Sequence, residues 1–472
     1  MNKLVLLISI IVLVAIGATS CTNNTAKDEN DEQNTKETTV YKPGTFVYSV
    51  NCRTDQAQGY AAYFPVSYNL NIEFPVIIVF DAHARGKMAV HKFKEVADEF
   101  GYIVVASNNS KNGLKTINNT INALFDDVFF RFKIDENRVY TAGFSGGARV
   151  ASSVAIYKGA VAGVIAIAGG LPKVGQEISQ KFNFSAIVGV SDFNYLELRT
   201  LDKQMDKLGF PHMLSISSKG HEWPNKKELR ASIEWFEIMG MKNGIVPVND
   251  NLIRNYSQHM ADSINKLVLK GKVYYAKNLY EQFLSTIDGL FDISSYQKSY
   301  EVLLKNPDIK TQEAEVELSA KAESEKQQVY ISLFKEQSFS KLIKEVNVLN
   351  VNVLSKDELK KNSAKRLLNY MSMLSYIFTE SALKSNNLKL AENYLTIYKK
   401  VDADNPDRYY FEACISANKN LEKETLGNLN KAVKFGFFDI SRLKSEICLN
   451  SIRELAEFDN IIAKAQVNFE SF

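Results

Sequence analysis

The sequence predicts a doubly wound, mostly parallel α/β sheet in the first half of the chain, followed by an all-α region with the character of a helical repeat. Over residues 43–242, short apolar runs such as residues 75–80 alternate with segments of helical periodicity. This pattern is typical of buried parallel strands joined by crossover helices. Over residues 250–472, glycine becomes sparse and the periodicity is helical. A chain of 472 residues has room for both domains.

The first 42 residues are expected to belong to neither domain. Residues 1–21 combine a positively charged start, an apolar run too short to span a bilayer, and small residues ending at Cys21. This arrangement resembles the signal peptide of bacterial lipoproteins. The resemblance implies cleavage before Cys21, a lipid on its thiol, and a membrane-anchored place in the bacterial cell envelope, periplasmic or surface-exposed. An ordinary signal peptide or an uncleaved anchor is the alternative. The polar residues 22–42 are expected to form a flexible tether.

The elements predicted for the first domain follow one another regularly. An opening β-hairpin is expected at residues 46–50 and 60–64. The later strands are predicted at residues 75–80, 102–106, 138–142, 162–168, 184–190 and 213–218. Helices are predicted at residues 90–100, 114–128, 148–158, 196–208 and 226–240. Because strands alternate with helices, we expect parallel pairing and a functional site at the carboxyl ends of the strands.

The first domain centres on residues 143–147, which read G-F-S-G-G. They follow a β-like run and precede a helix of small residues, which is the context of a nucleophile elbow. In such a turn the glycines let a strand pass directly into a helix, and the serine hydroxyl stands clear of the sheet. We therefore predict Ser145 as a nucleophile and the Gly146 N–H as one donor to developing negative charge. A glycine-rich turn without a chemical role is the alternative.

Two further side chains follow later strands of the predicted sheet. Asp192 comes after the strand at residues 184–190, and His221 comes after the last strand. Imidazole can accept and return a proton near neutral pH, and a carboxylate can hold it in one tautomer. His221 is therefore the expected base and Asp192 its expected partner, with Glu197 as the alternative acid. The order Ser, Asp, His along the chain is that of α/β-hydrolases.

The turn after residues 75–80 is expected to supply the second oxyanion donor, from the N–H of Ala82 or of His83. Asp81 and Arg85 in the same turn are expected to form a salt bridge.

Substrate contacts are expected from Phe144, Asn108 and Trp223. Asn108 lies in a polar loop, residues 107–113, that also has the composition of an ordinary turn.

Residues 134–147, IDENRVYTAGFSGG, and residues 220–224, GHEWP, resemble the polyhydroxybutyrate-depolymerase and feruloyl-esterase branch of the α/β-hydrolases. The resemblance covers residues 70–240. It implies hydrolysis of a carboxylic ester through an acyl-serine, with the serine, aspartate and histidine named above as the triad. Two features depart from the family. Residues 81–86, DAHARG, replace its usual His-Gly, and no lid-sized insertion lies within residues 169–182. The second feature suggests an open cleft.

The second domain contains a helical pattern that occurs twice. Its helical spacing recurs 34 residues along the chain, where Ala391, Leu395 and Tyr398 correspond to Thr425, Leu429 and Ala432. A period of this length resembles the tetratricopeptide repeat. The resemblance implies a module that docks a protein partner or shapes the cleft, and a non-repetitive bundle is the alternative. Charged runs such as residues 321–326 are expected to be solvated helix faces.

Composition argues against several functional classes. A net charge of +3 spread along the chain argues against a nucleic-acid surface. The sequence shows no metal-ligand cluster, phosphate-binding loop or nucleotide fingerprint, so we expect no metal and no cofactor. Beyond Cys21 the cysteines are Cys52, Cys414 and Cys448. Three cysteines cannot all pair, and we assign no disulfide.

These features favour an envelope-tethered serine esterase whose substrate is a carbohydrate-linked ester, a polyester or a small ester. A catalytically inactive scaffold with a hydrolase fold is one alternative. A serine peptidase is another, because the same triad cleaves amides.

Overall fold

The computed structural model describes residues 41–159, 161–172, 178 and 180–471. The predicted signal peptide, the lipid-attachment residue Cys21 and the tether up to residue 40 lie outside the described residues. Within these ranges, no helix combines the length and the apolar composition that crossing a bilayer requires.

A single mixed sheet forms the centre of the first domain. Its strands in the described ranges are β1 Thr45–Asn51, β2 Gly59–Phe64, β3 Phe74–Asp81, β4 Ile103–Ser107, β5 Ile134–Phe144, β6 Gly163–Ile167, β7 Asn183–Gly189 and β8 His212–Ser217. They lie in the order β1-β2-β4-β3-β5-β6-β7-β8. β2 pairs antiparallel with both β1 and β4, and the other pairs are parallel. The predicted hairpin and mostly parallel sheet are confirmed.

Helices cover both faces of this sheet. They are α1 Gly86–Phe100, α2 Ile117–Arg131, α3 Gly146–Tyr157, α4 Tyr195–Leu208 and α5 Lys226–Lys242. In β3, Val76 and Ile78 pack in the core with α2, α3 and α4, whereas Ile77 and Val79 pack with α1 and α5. Because strand side chains alternate between the faces, a strand covered on both sides must be apolar throughout. The first domain has the α/β-hydrolase fold.

The rest of the described chain is helical. Its helices are α6 Asp250–Leu269, α7 Val273–Ile287, α8 Ser294–Leu304, α9 Asp308–Lys335, α10 Phe339–Asn352, α11 Glu358–Lys384, α12 Leu388–Val401, α13 Pro406–Asn418, α14 Glu422–Lys434, α15 Ile440–Ser445 and α16 Ala456–Glu470, with a 3-10 turn at Ile447–Ile452. One apolar core runs from α9 to α16, and a smaller core joins α5 to the helices α6 to α9. The predicted all-α second domain is confirmed.

The offset of 34 residues is visible in the backbone of two successive helical hairpins. α12 begins at Leu388 and α14 at Glu422. Each is preceded by an asparagine in the left-handed region, Asn386 at φ 55° and Asn420 at φ 58°. Asparagine tolerates this conformation better than most residues, so both turns close in the same way. The tetratricopeptide interpretation itself stays a prediction.

The two domains meet at a packed junction. α5 ends at Lys242 and α6 begins at Asp250. On α5, Ile238 is fully buried in the core formed with α6 and α7. Nearby, Trp235 Nε1 donates to Thr286 Oγ1 of α7 at 3.2 Å. Apolar burial and this buried hydrogen bond therefore hold the helical domain against the sheet domain.

Candidate active site

Ser145 occupies the sharp turn between β5 and α3. Its backbone has φ 56° and ψ −117°, a conformation that is rare for a residue with a Cβ. The Ser145 N–H donates to Ile167 O of β6 at 2.8 Å, which helps to hold the turn. At Gly143, a Cβ would lie 2.2 Å from the Gly147 carbonyl oxygen, so only glycine fits where the helix crosses the strand. This is the geometry of a nucleophile elbow.

The structure brings Ser145, His221 and Asp192 together at the carboxyl edge of the sheet. His221 Nε2 lies 3.0 Å from Ser145 Oγ, and His221 Nδ1 lies 3.1 Å from both carboxylate oxygens of Asp192. Asp192 is fully buried, whereas Ser145 and His221 are partly exposed. With the proton on Nδ1 donated to Asp192, Nε2 is free to accept the serine proton.

Glu197, the alternative acid, is engaged elsewhere. It lies in the first turn of α4 and accepts two hydrogen bonds from Arg149, each at 2.7 Å. It also accepts from the Gly170 N–H at 3.2 Å. The bidentate pair holds this carboxylate on α3 rather than on the imidazole, so Asp192 is the acid that the geometry favours.

The loop that carries Asp192 is tied to the loop that carries His221. Ser191 N donates to Lys219 O at 3.1 Å, and Asp192 N donates to Gly189 O at 3.0 Å. The Asp192 carboxylate also accepts from Asn194 N at 2.7 Å. These bonds hold the carboxylate in place independently of its contact with the imidazole.

Two aromatic rings flank the imidazole of His221. The Phe193 ring stacks on it with centroids 4.2 Å apart and an interplanar angle of 29°. The Phe144 ring lies 5.0 Å away at 43°. Rings in these positions restrict rotation of the imidazole, so Nε2 stays directed at the serine.

The turn after β3 is organised by the buried carboxylate of Asp81. Arg85 donates to it from Nε at 3.0 Å and from Nη2 at 3.1 Å, and Trp223 Nε1 donates at 3.2 Å. Burial alone would raise the pKa of Asp81, but the hydrogen bonds and the charge of Arg85 outweigh it and lower the pKa. The predicted salt bridge between Asp81 and Arg85 is confirmed.

The same carboxylate bears on the choice of oxyanion donor. The His83 N–H donates to Asp81 Oδ1 at 2.9 Å, so an oxyanion reaching His83 would have to share that donor. This favours the N–H of Ala82, together with that of Gly146.

Asn112 lies beside this pair: its N–H donates to Ala82 O at 2.9 Å, and its Oδ1 would lie 1.8 Å from a Cβ built on Gly146. Sequence reasoning reached the polar loop of Asn112 but did not single this residue out.

The three residues expected to contact substrate have other partners. Phe144 is 6% exposed and Trp223 is 7% exposed, and their rings stack on each other at 5.5 Å. Asn108 Nδ2 donates to Tyr48 O of β1 at 3.0 Å. Phe144 and Trp223 thus contact His221 and Asp81, and Asn108 ties its loop to the sheet edge. Contact of these three residues with substrate stays a prediction.

The helical domain reaches the edge of the sheet at two places. On one side, Arg366 and Asn369 of α11 contact the loop after β7. On the other, the Phe438 ring lies edge-on to His83 at 5.1 Å and 4.7 Å from the Arg85 guanidinium. The Phe438 ring forms a wall beside the oxyanion turn, and the open cleft suggested by the missing insertion stays a prediction.

Comparisons with known proteins were made for the whole chain. No protein-family model matches it, and the search of curated proteins finds no significant match. The fold is similar to solved structures that include the S-formylglutathione hydrolase FrmB from Staphylococcus aureus, with TM-score 0.35, 13% identity, and coverage of 42% of this chain and 98% of that one. For a ferulic acid esterase the TM-score is 0.33 at 13% identity, and the match covers 41% of this chain and 95% of that one. For dipeptidyl peptidase 4 from Porphyromonas gingivalis the TM-score is 0.33 at 16% identity, and the match covers 42% of this chain and 36% of that one. Similarities this distant carry no conclusion about activity.

The described residues also bear on metal and thiol chemistry. Among them, no group of three or more histidine, cysteine or acidic side chains is arranged to hold a metal ion. Cys52, Cys414 and Cys448 are present as free thiols.

Proposed function

We propose that this chain is a serine hydrolase that cleaves carboxylic esters through an acyl-serine intermediate. The observation that carries the proposal is the continuous contact from Ser145 Oγ through His221 to the buried Asp192, at 3.0 and 3.1 Å. A serine hydroxyl is a weak nucleophile until a base takes its proton, and this arrangement supplies the base and holds its tautomer. The intact contacts also argue against an inactive scaffold.

Each residue has a defined part in the proposed reaction. His221 Nε2 accepts the proton as Ser145 Oγ attacks the ester carbonyl, and Asp192 stabilises the imidazolium that forms. The N–H groups of Gly146 and Ala82 donate to the oxyanion. The imidazolium returns the proton to the leaving alcohol. Water, deprotonated by the same imidazole, then releases the acid and frees the serine.

Esters are favoured over amides as the substrate class. The support is the resemblance of residues 134–147 and 220–224 to polyhydroxybutyrate depolymerases and feruloyl esterases. The ester is carbohydrate-linked, polymeric or small, and an assay on each class separates these outcomes. A serine peptidase remains the outcome if peptide amides are turned over faster than any ester.

We also propose that the mature protein is anchored in the bacterial envelope by a lipid on Cys21, with residues 22–42 as the tether. The support is the apolar run that ends in small residues and a cysteine. Metabolic labelling with a fatty-acid analogue tests it: the wild type should be labelled and Cys21→Ser should not. Equal labelling of both would exclude this attachment site.

The catalytic proposal is tested by turnover of 4-nitrophenyl, feruloyl and acetyl-sugar esters by purified protein. Ser145→Ala should lose at least about a thousandfold in kcat/KM. Ser153→Ala on the same helix is the matched control, because that hydroxyl donates to Arg149 O at 2.7 Å, within its own helix, rather than to the imidazole. Unchanged turnover by Ser145→Ala would exclude the assignment.

A further inference from the structure

The helical domain contacts the backbone of the loop that carries Asp192. Arg366 Nη1 donates to Val190 O at 2.9 Å, and Asn369 Nδ2 donates to Ser191 O at 2.7 Å. These two carbonyls immediately precede the carboxylate that faces the imidazole. We propose that Arg366 and Asn369 are positioning residues that hold the Asp192 carboxylate at the imidazole, so that the triad requires α11. The proposal rests on the serine-hydrolase function proposed above.

Arg366 is itself held in a fixed orientation. Its Nε and Nη2 donate to the two carboxylate oxygens of Glu323 on α9, at 2.8 and 2.7 Å. Arg366 is 5% exposed and Glu323 is 1% exposed. The guanidinium also lies 4.3 Å from the centre of the Tyr195 ring, at the start of α4. A planar guanidinium bound along one edge presents its Nη1 in a defined direction, here toward the Val190 carbonyl.

Asn369 lies three residues further along α11, on the same face of the helix. Its amide reaches Ser191 O, and its Nδ2 also lies near Gly220, the neighbour of His221. Ser191 is therefore bonded from both sides: its N–H donates to Lys219 O within the hydrolase domain, and its carbonyl accepts from the helical domain.

This contact matters because the distance between carboxylate and imidazole is already at the outer part of the hydrogen-bond range. Both oxygens of Asp192 lie 3.1 Å from His221 Nδ1, and such bonds weaken beyond about 3.2 Å. A loop displacement of about 1 Å would break the contact, and misplacement on that scale can reduce a rate about 100-fold. Helix α11 and the loop that carries Asp192 are far apart in sequence but act as one catalytic unit.

The test is Asn369→Leu, which keeps the branched shape of the side chain and removes the donor. We expect kcat on a 4-nitrophenyl ester to fall about 10- to 100-fold while KM changes less than about twofold. Asn362→Leu is the matched control, because it makes the same substitution two turns earlier on α11. Asn369→Gln, which keeps an amide donor, should recover part of the loss.

A double-mutant cycle with Asp192→Asn separates positioning from a general effect on folding. Asp192→Asn alone should reduce kcat by up to about 10,000-fold. If Asn369 acts through Asp192, adding Asn369→Leu to this variant lowers kcat no further. A residue that matters only for folding would lower both backgrounds by the same factor, and that result would overturn the proposal.

Two outcomes distinguish this proposal from the function on which it rests. If Ser145→Ala is inactive and Asn369→Leu turns over like the wild type, only the positioning role is overturned. If Ser145→Ala keeps full activity, the serine-hydrolase function fails and the positioning role fails with it. Should Asn369→Leu lose its far-UV circular dichroism, Asn369→Ala removes the donor by truncation and decides the same question.

Discussion

The buried ion pair between Glu323 and Arg366 allows stability and catalysis to be separated by mutation. Both side chains are nearly inaccessible, at 0% and 6%, and two hydrogen bonds of 2.7 and 2.8 Å join them. Glu323→Leu would leave the guanidinium buried without its partner. Breaking a buried pair in this way costs about 3–5 kcal/mol, so we expect a loss of that size in the unfolding free energy of the helical domain.

The double variant Glu323→Leu/Arg366→Met should behave differently. Replacing a whole buried pair by apolar side chains of similar volume is often neutral or stabilising, so stability should return to within about 1 kcal/mol of the wild type. Turnover should stay low, because the Val190 carbonyl has lost its donor. Glu317→Leu on the same helix is the control. Glu317 and its nearer partner Lys203 are each 45% exposed, and its second partner Arg199 lies further away, at 3.4 Å. Pairs on an exposed carboxylate contribute about 0–1 kcal/mol.

Denaturant unfolding can follow the two domains separately. The two tryptophans of the chain are Trp223 and Trp235. Trp235 contacts Thr286 of the helical domain, so the measurement is made in a Trp235→Phe background, where the fluorescence of Trp223 reports the hydrolase domain. Far-UV circular dichroism is dominated by the helices of the second domain. A double variant as unstable as Glu323→Leu would contradict the assignment of the loss to an unpaired charge. A stable double variant with full turnover would contradict the positioning role of Arg366.

Three further perturbations address the walls, the oxyanion turn and the elbow. Phe438→Ala should raise KM for feruloyl esters about 3- to 10-fold and leave kcat within about twofold, as steady-state kinetics would show, because it removes apolar area beside His83; an unchanged KM would exclude a substrate-facing wall. The lowered pKa of Asp81 means that its contribution to stability is present above the unfolded pKa of about 3.9 and is lost as pH falls through the lower folded pKa. Asp81→Asn should therefore be less stable than the wild type by about 2 kcal/mol at pH 7, and thermal melts should show the gap narrowing below about pH 4; a constant gap would contradict the ionised state. Gly143→Ala should lower the melting temperature and abolish turnover, because its Cβ would meet backbone 2.2 Å away; a stable, active variant would contradict the tight turn.

The triad residues could be found from the sequence because each lies directly after a strand. The carboxyl ends of β5, β7 and β8 meet at one edge of a parallel sheet, so Ser145, Asp192 and His221 converge for topological reasons. The choice between Asp192 and Glu197 needed coordinates, because it depends on the bidentate contact of Glu197 with Arg149. Sequence alone gives no sign of which acid another side chain already binds.

The contribution of the helical domain could not be predicted from local pattern. Residues 321–326 were expected to be a solvated helix face, and Glu323 within them is instead fully buried. Its partner Arg366 lies 43 residues away, and Arg366 and Asn369 meet the acid loop across 176 and 178 residues. A single buried charge among exposed ones leaves no periodic signal, because only the tertiary contact distinguishes it.

The observed strand and helix boundaries differ from the predicted ones where polar residues continue a regular structure. β5 begins at Ile134 rather than at Arg138, because the polar residues 135–137 extend the strand beyond its apolar centre. α1 begins at Gly86, directly after the oxyanion turn, where the predicted helix began at Val90. These shifts bring the oxyanion turn next to a helix start, which apolar periodicity does not reveal.

The most direct measurement of the central claim is covalent labelling by a fluorophosphonate, followed by peptide mapping. Such a reagent phosphonylates a serine only when a base activates it. The wild type should carry the adduct on Ser145, Ser145→Ala should carry none, and His221→Asn should react at least about a hundredfold more slowly. Labelling at another serine, or equal rates with and without the imidazole, would show that Ser145 and His221 do not act together.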